Sequence, residues 1–393
     1  MKSQLLKAYG LVRLFDRTIY DNFGKIRVLF IISNLLSLSN FIPLISKMKN
    51  ISGIRVFITI ENNEGLSFPE IQSLINTDNI CFIKANSAVF RKWHYAFTTE
   101  QSYLYFKRDI TLAFSHHGCA FGNADKNSKE NCYHERRLNN SRYSLYFLNS
   151  YSEVNKYQKL IKNSKQKKFL VSGLPKLDSL FNRNKSNDKD FLKQQNLNPA
   201  KKTILISSHW KEKSLLASLG ASLIDHVLSL NKDCNVLLIA HEHLWTRFDN
   251  HKLFDRLIEL EQKYENFLFI TKCIEHHDII KTADLFICDY SSIFVEHCIV
   301  DKPIIFFDNR DYNFQDNTVK LLFEEASSPF AKIEELNDLI EPLIYKPAFQ
   351  AAERKAVVHY FQDNRGRATD YIINKILEIG RVSGPSSNKW QDI

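Results

Sequence analysis

Residues 283–297 read ADLFICDYSSIFVEH, and this stretch decides the fold. Its apolar run at 285–288 is typical of a buried parallel strand, and the polar residues 289–292 that follow offer turn and helix-capping chemistry. Residues 293–300 are compatible with a helix, and a second apolar run stands at 304–307. The order is therefore strand, helix, strand, which is the repeating unit of an α/β fold with a parallel sheet.

The turn at 289–292 is also a candidate anion site. Amides at a helix start lack partners within the helix and lie at the positive end of its dipole. The hydroxyls of Ser291 and Ser292 add hydrogen-bond donors that suit a diphosphate. An ordinary serine N-cap is the competing interpretation, because serine is common at that position.

The same alternation of apolar runs and helical segments extends along the chain on both sides of this stretch. It predicts two doubly wound, Rossmann-like domains at 1–185 and 186–347, followed by a helical tail at 348–393. The composition turns polar over 182–202, as expected for a linker between domains. The predicted strands span 25–32, 54–60, 80–84, 110–115, 144–148 and 168–172 in the first half and 203–207, 236–240, 267–271, 285–288 and 304–307 in the second. The predicted helices include 35–47, 213–230, 245–264, 277–282, 293–300 and the tail at 348–380.

The composition bounds the class of protein. The 393 residues are 44% hydrophobic and 25% charged, which is ample for two domains with separate cores. The seven cysteines stand without CxxC pairs, a pattern that suits a reducing compartment. The first 25 residues lack a continuous apolar core, and the most apolar window, 28–45, is interrupted by serine, asparagine and proline. We therefore expect a cytoplasmic protein with neither a secretory signal nor a membrane-spanning helix.

The formal net charge of +9 is compatible with nucleic acid, an anionic membrane surface or an anionic substrate as partner. The basic residues are spread along the chain, and no RNP-like aromatic pattern or basic helix favours nucleic acid. We expect no nucleic-acid partner.

The residues directly after each predicted strand are the candidates for chemistry, because ligands of open α/β sheets bind beyond the carboxyl ends of the strands. A neutral imidazole at such a place can act as a general base, since its ordinary pKa lies near working pH. His117 is better placed than most, because the following Gly118 lets a substrate or a helix start approach the backbone closely. Any one of these histidines can alternatively be a surface or capping residue. The four stretches that stand out are SHHGCAFG at 115–122, GLPKLD at 173–178, SSHWKE at 207–212 and HEH at 241–243.

Other kinds of site are not indicated by the sequence. The HEH at 241–243 lacks the HExxH spacing that puts two metal ligands on one helical face. No GxGxxG follows a strand and no GxxxxGK[ST] occurs, which excludes the standard fingerprints of dinucleotide oxidoreductases and P-loop NTPases. We expect no metal and no cofactor.

The motifs together resemble those of the CDP-glycerol glycerophosphotransferase family, the teichoic-acid and capsule polymerases of GT-B fold. The DYSS at 289–292, with Glu296 four positions after Ser292 and DKPIIF at 301–306, looks like the family signature. FSHHG at 114–118 resembles its His-Gly segment. GLPKLD at 173–178 and SHWKE at 208–212 resemble its Gly-x-Pro-(Arg/Lys)-x-Asp and Thr-Trp-Arg segments.

The resemblance implies roles for individual residues. His117 would be the base that deprotonates the acceptor hydroxyl, and His243, or alternatively His241, would steady the diphosphate. The implied donor-binding residues are Ser291, Ser292, Asp289, Glu296, His241, His209, Lys211, Gly173 and Pro175, and the implied acceptor-binding residues are His116 and Gly118.

Two departures from the family pattern leave the donor open. This chain has Cys119-Ala120-Phe121 where the family usually has a lysine soon after His-Gly, and HEHL at 241–244 in place of Arg-x-His-Pro.

The resemblance implies two domains facing a central cleft, with a C-terminal helix crossing back. It predicts a metal-independent, His-assisted transferase that moves a polyol phosphate from a CDP donor to a surface-polysaccharide or lipid-linked acceptor. The enzyme would be peripheral on the inner face of the cell membrane, with an anionic membrane surface as a partner. The alternatives are a GT-B glycosyltransferase that uses a nucleotide sugar and a nucleotide-binding relative without catalysis.

Overall fold

The computed structural model describes residues 25–61, 66–108, 110–116, 118, 125, 142–183, 188–241, 243–246, 251–271 and 276–382. Two parallel sheets organise these residues. The first contains seven strands in the order β3-β2-β1-β4-β5-β6-β7, and all of its pairings are parallel. Its strands are β1 (Ile26–Ile32), β2 (Ile54–Ile60), β3 (Ile80–Phe82), β4 (Tyr95–Thr98), β5 (Thr111–Ser115), β6 (Leu145–Leu148) and β7 (Lys168–Val171).

The second sheet contains six parallel strands in the order β10-β9-β8-β11-β12-β13. Every residue of its strands β9 and β11 is buried, because apolar side chains pack on both faces of the sheet. The strands are β8 (Lys202–Ser208), β9 (Cys234–Ala240), β10 (Phe267–Ile270), β11 (Leu285–Cys288), β12 (Ile304–Phe307) and β13 (Ser328–Phe330).

Helices connect the strands, and their starts follow ordinary capping chemistry. The Asn34 side chain accepts a hydrogen bond from the Ser37 amide at the start of α1, and Ser150 caps α4 in the same way through the Glu153 amide. The helices are α1 (Leu35–Met48), α2 (Phe68–Leu74), α3 (Ala85–Ala88), α4 (Tyr151–Leu160), α5 (Asp178–Phe181), α6 (Asp190–Gln194), α7 (Leu215–Leu230), α8 (His243–Thr246), α9 (His251–Lys263), α10 (His277–Ile280), α11 (Ile293–Val300), α12 (Asn317–Glu325), α13 (Leu336–Ile344), α14 (Ala351–Phe361) and α15 (Ala368–Val382), with 3₁₀ turns at Ser164–Gln166, Pro175–Leu177 and Ile333–Glu335.

The doubly wound architecture predicted from the sequence is confirmed, and the two sheets lie on either side of the predicted boundary at 185/186, which itself stays a prediction. Strands β4 and β13 were not predicted. The predicted helix 245–264 is replaced by α8 and α9, with 247–250 outside the described residues. The backbone of α7 is interrupted at Gly220, whose φ of 63° is readily available only to glycine.

The C-terminal tail divides between the two domains. Val357 and Phe361 of α14 pack into the core beneath the second sheet. Ile372 and Ile376 of α15 instead belong to the core of the first sheet, and the Tyr95 hydroxyl donates a hydrogen bond to the Ile376 carbonyl at 3.2 Å. The last helix therefore crosses back to the first domain, as predicted.

None of the helices that the structure describes combines the length and the apolarity needed to cross a bilayer.

Candidate functional site

The strand order of the second sheet places its ligand crevice. Strands β8 and β11 are neighbours, and the chain winds away from them in opposite directions. This is the topological switch point at which open α/β sheets bind ligands. Residues that follow β8, β9 and β11 therefore meet at one edge of the sheet, as the sequence predicted.

Asp289 lies beneath this edge and holds its loops together. Its side chain is 0% exposed and accepts hydrogen bonds from the amides of His209 (2.8 Å), Leu215 (3.0 Å) and Ser291 (3.1 Å) and from the Ser208 hydroxyl (3.2 Å). Burial raises the pKa of Asp289 to about 6, although these hydrogen bonds oppose the shift. The structure thus places this predicted donor-binding residue under the DYSS turn (residues 289–292), where it positions the loops.

Ser291 and Ser292 stand at the start of α11. Ser292 is the N-cap residue, but its side chain makes no capping hydrogen bond with the helix. Both side chains are partly exposed, whereas the neighbouring Tyr290 is buried and stacks on Tyr312 with ring centroids 3.5 Å apart. The Ser292 hydroxyl therefore differs from an ordinary serine cap, and both serines stand at a helix start, where anionic ligands can bind.

Three histidines and a tryptophan line the edge beside the turn. The rings of His209 and His241 are 6.5 Å apart, those of His241 and His243 are 4.6 Å apart, and Trp210 lies within 6.2 Å of the last two. Burial lowers the pKa of His209 to about 3, and the positive charges of Lys211, His241 and His243 add to the effect. His209 is therefore neutral at physiological pH. Its Nδ1 accepts a hydrogen bond from the Lys211 amide at 3.2 Å, which fixes the loop after β8.

The acceptor segment (residues 114–118) meets the DYSS turn from the first domain. A Cβ added to Gly118 would lie 3.4 Å from the Ser292 hydroxyl oxygen and 3.9 Å from Nδ1 of His116. Asn149, which follows β6, donates from its side-chain amide to the Gly118 carbonyl at 2.9 Å. The structure thus brings His116, Gly118 and Ser292 together, whereas His117 lies outside the described residues.

The Glu296 side chain lies in a buried ion pair. Lys176 Nζ lies 2.6 Å from its Oε1, and His277 Nε2 lies 3.6 Å from its Oε2. Burial alone would raise the pKa of Glu296, but the charge of Lys176 and the hydrogen bond and charge of His277 hold it well below its usual range. This pair joins α11 to the GLPKLD segment (residues 173–178), a connection that the sequence did not indicate.

The GLPKLD segment also holds the tail. Gly173 has a φ of +74°, and a side chain there would clash with the Asp363 carbonyl. The Asp178 carboxylate accepts hydrogen bonds from the amides of Ala368 and Thr369 and so caps α15. Pro175 is buried at the start of a 3₁₀ turn. The contacts of Gly173 and the Asp178 cap therefore favour an architectural role for this segment, although donor binding was predicted for Gly173 and Pro175.

Sequence reasoning assigned no role to Lys176 or Asn149. Lys176 lies inside the GLPKLD segment, and Asn149 belongs to no motif. Lys213 and Asp125 form a further ion pair at 2.8 Å near the DYSS turn. Burial raises the pKa of Tyr290 well above its usual range, and the charges of Asp289 and Asp125 add to the shift. Only the spacing of the GLPKLD motif could have pointed to Lys176.

Among the residues that the structure describes, no three histidine, cysteine, aspartate or glutamate side chains group as metal ligands would. The predicted metal independence stays a prediction.

Comparison with protein families gives the context for this site. The family model of CDP-glycerol:poly(glycerophosphate) glycerophosphotransferase matches residues 31–378. The chain belongs to this family. The resemblance drawn from the motifs is therefore confirmed.

Two relatives from Bacillus spizizenii match part of the chain. A teichoic acid poly(glycerol phosphate) polymerase is 26% identical over 187 residues, which are 45% of each chain. A teichoic acid poly(ribitol-phosphate) polymerase is 25% identical over 134 residues, 33% of this chain and 21% of the relative. The matches span less than half the length of these relatives.

The fold is shared with solved structures. The wall teichoic acid polymerase TagF, soaked with CDPG, has a TM-score of 0.68 at 17% identity, covering 97% of this chain and 98% of that one. The UDP complex of Staphylococcus aureus MnaA has a TM-score of 0.60 at 12% identity, covering 92% and 99% of the two chains. The two Rossmann-like domains of this glycerophosphotransferase family member are thus those of a GT-B fold, as predicted.

Proposed function

We propose that the chain transfers a polyol phosphate, with glycerol phosphate as the first candidate, from a CDP donor to a hydroxyl of a glycan or lipid-linked acceptor. Membership of the glycerophosphotransferase family supports the reaction class. The observation that carries the proposal is the approach of Gly118 to Ser292, because it sets the acceptor segment against the helix start that suits a diphosphate.

In the proposed reaction the acceptor oxygen attacks the phosphorus that carries the polyol. A new phosphorus–oxygen bond forms, the bond to the bridging oxygen of the diphosphate breaks, and CMP leaves with the electron pair. His117 takes the proton of the acceptor hydroxyl. Its neighbours His116 and Gly118 lie beside Ser292, which supports this assignment of the base.

The negative charge on the transferred phosphoryl group must be stabilised by hydrogen-bond donors held in fixed positions. The hydroxyls of Ser291 and Ser292 and the first amides of α11 supply them, with His243, or alternatively His241, steadying the diphosphate. Asp289 holds both the turn and the loop after β8, so these donors are in place before the substrate arrives. No metal is required in this scheme, and chelation by EDTA should leave most of the activity intact.

The proposed acceptor implies that the enzyme works at the membrane surface. A lipid-linked acceptor made inside the cell lies at the inner face of the membrane, and a formal charge of +9 suits an anionic surface. We propose a cytoplasmic protein that works peripherally on that membrane.

Product analysis tests the proposal. The protein is incubated with CDP-polyols and nucleotide sugars and a phosphorylated or lipid-linked glycan acceptor. Release of CMP with a new phosphodiester supports polyol-phosphate transfer. Release of a nucleoside diphosphate with a new glycosidic bond would establish a glycosyltransferase, and nucleotide binding without turnover over the whole panel would indicate a non-catalytic relative.

A further inference from the structure

An extended segment over residues 102–107 covers one face of the first sheet with alternating side chains. Leu104 and Phe106 point inward and pack against the core that contains Phe114. Tyr103 and Tyr105 point outward and are 55% and 68% exposed. This two-residue alternation is that of an extended chain with one buried side, so the exposed aromatic rings are built into the surface.

Further aromatic and basic groups extend this row. The Lys107 amide donates to the Val89 carbonyl at 2.9 Å, which brings Phe90, 54% exposed, and Arg91 beside the segment. The guanidinium of Arg142 lies 4.1 Å from the centre of the Tyr105 ring. We refer to this set as the aromatic–basic surface, which comprises Phe90, Arg91, Tyr103, Tyr105, Lys107 and Arg142.

The charge of this surface is one-sided. Between residues 84 and 109 the sequence contains five lysines and arginines and two acidic residues. Within the described part of the chain, Arg91, Lys107 and Arg142 are exposed and form no ion pair with a carboxylate at close range. Arg142 also donates a hydrogen bond to the Ser102 carbonyl at 3.1 Å, and its charge acts on the buried Glu61 carboxylate. Glu100, the acidic residue described in this stretch, accepts a hydrogen bond from Asn34 instead.

The position of the surface relates it to the site. The Tyr103 amide donates a hydrogen bond to the side-chain carboxylate of Glu61, which directly follows β2. The extended segment at 102–107 begins after β4. The aromatic–basic surface therefore begins at the edge of the sheet where the strands end, and His116 follows β5 at that same edge.

We propose that the aromatic–basic surface docks the protein on an anionic lipid membrane. Tyrosine rings prefer the membrane interface, a phenylalanine ring inserts among acyl chains, and lysine and arginine attract anionic headgroups. The exposed Phe90 favours a membrane over a soluble polyanion, which offers no apolar phase. This inference extends the proposed function, because docking here holds a lipid-linked acceptor near the sheet edge that carries His116.

Vesicle sedimentation tests docking without any transfer reaction. Wild type should pellet with vesicles of phosphatidylcholine and phosphatidylglycerol and less with phosphatidylcholine alone. Arg91→Gln with Lys107→Gln should weaken binding to the anionic vesicles about 25-fold, since each basic residue near such a surface contributes about fivefold. Phe90→Ser with Tyr105→Ser should weaken binding to both kinds of vesicle.

Residues for matched control variants lie in the C-terminal part of the sequence. Lys346 and Lys355 are exposed, and Tyr345 is 65% exposed and lies near the Lys202 ammonium group, as Tyr105 lies near Arg142. The control proteins with Lys346→Gln and Lys355→Gln together, or with Tyr345→Ser, should bind vesicles like wild type.

The proposal would be overturned if the variants of the aromatic–basic surface and the control variants bound vesicles equally, or if wild type bound no vesicles. The proposal would also be overturned if the variants of the aromatic–basic surface lost binding to soluble poly(glycerol phosphate) but still bound vesicles like wild type. Failure of CDP-polyol turnover with patch-dependent vesicle binding would instead count against the proposed function alone.

Discussion

Gly118 and Ser292 approach each other across the two domains: a methyl group added at Gly118 would lie 3.4 Å from the serine hydroxyl oxygen. A methyl group can be accommodated at that distance, but a branched side chain would occupy the space in which acceptor and donor must meet.

Gly118→Val should therefore reduce transfer on the order of 10²-fold, because small displacements of reacting groups cost about that much. Gly118→Ala should retain more activity, and both variants should melt like wild type. The measurement is kcat/KM for CDP-polyol turnover with thermal denaturation alongside. Full activity of the valine variant would show that the two segments do not meet during transfer.

Ser291→Ala and Ser292→Ala should each weaken donor binding and lower the rate together. A hydrogen bond to a charged phosphate contributes about 1.5–3 kcal/mol, which corresponds to a loss of roughly tenfold or more in affinity. Because the Ser292 side chain makes no capping bond, Ser292→Ala should not lose the stability that a helix cap contributes. Ser150→Ala is the matched control, since that hydroxyl does cap a helix and its loss should cost about 1 kcal/mol. Calorimetric donor binding and urea unfolding separate the two effects; destabilisation in Ser292→Ala would return that residue to a structural cap.

Asp289→Asn should lower both stability and donor affinity. The substitution removes the charge and turns an N–H₂ group toward amides that need an acceptor, at a cost of about 3 kcal/mol. Ser208→Ala removes one of the same hydrogen bonds and should cost about 1 kcal/mol. Urea unfolding and equilibrium donor binding measure both quantities. A stable Asp289→Asn protein that has lost only donor affinity would instead indicate direct contact with the donor.

Lys176→Met should destabilise the protein by about 3–5 kcal/mol, because it leaves the Glu296 carboxylate buried without its lysine. Much of this loss should be recovered in the double variant with Glu296→Leu. The pKa of Glu296 is lowered in the fold, so its contribution is present above the ordinary value of 4.5 and is lost as the pH falls below that value. The difference in unfolding free energy between wild type and Glu296→Gln should accordingly be largest at neutral pH and shrink in acid. A difference independent of pH would contradict the buried ion pair.

His117→Ala should slow transfer about 10²- to 10⁴-fold while nucleotide still binds, since a general base lowers the barrier and adds little donor affinity. His243→Ala should have the larger effect on KM for the donor. Comparing kcat with KM for the two variants, and for His241→Ala, separates the roles. If only His241→Ala raises KM, the second histidine has been assigned to the wrong position.

Much of the fold could be predicted because its signals are local. Strand 285–288 is a continuous apolar run and strand 54–60 is rich in β-branched residues, and the structure has both at the predicted residues. Strand β4 (Tyr95–Thr98) was missed because it has only three consecutive apolar residues between His94 and Thr98, although it lies between β1 and β5. Its place in the sheet depends on neighbours that are distant in sequence.

The site was predictable in location but less so in its contacts. The family resemblance implied that Ser292 and residues 114–118 face the same cleft, and in the structure Gly118 does lie close to Ser292. It could not indicate that Asp289 and Glu296 are buried partners of other protein groups, because hydrogen bonding and ion pairing depend on packing between distant segments.

The helix α15 also bears on how the protein is made. Its isoleucines complete the hydrophobic core of the first domain, yet they are among the last described residues to be synthesised. Domains commonly fold in order as they leave the ribosome, the N-terminal one first. Here the early domain must wait, with part of its apolar surface exposed, until the second has been translated. We therefore expect this protein to need a chaperone during translation, while the first domain is exposed and α15 has not yet been made.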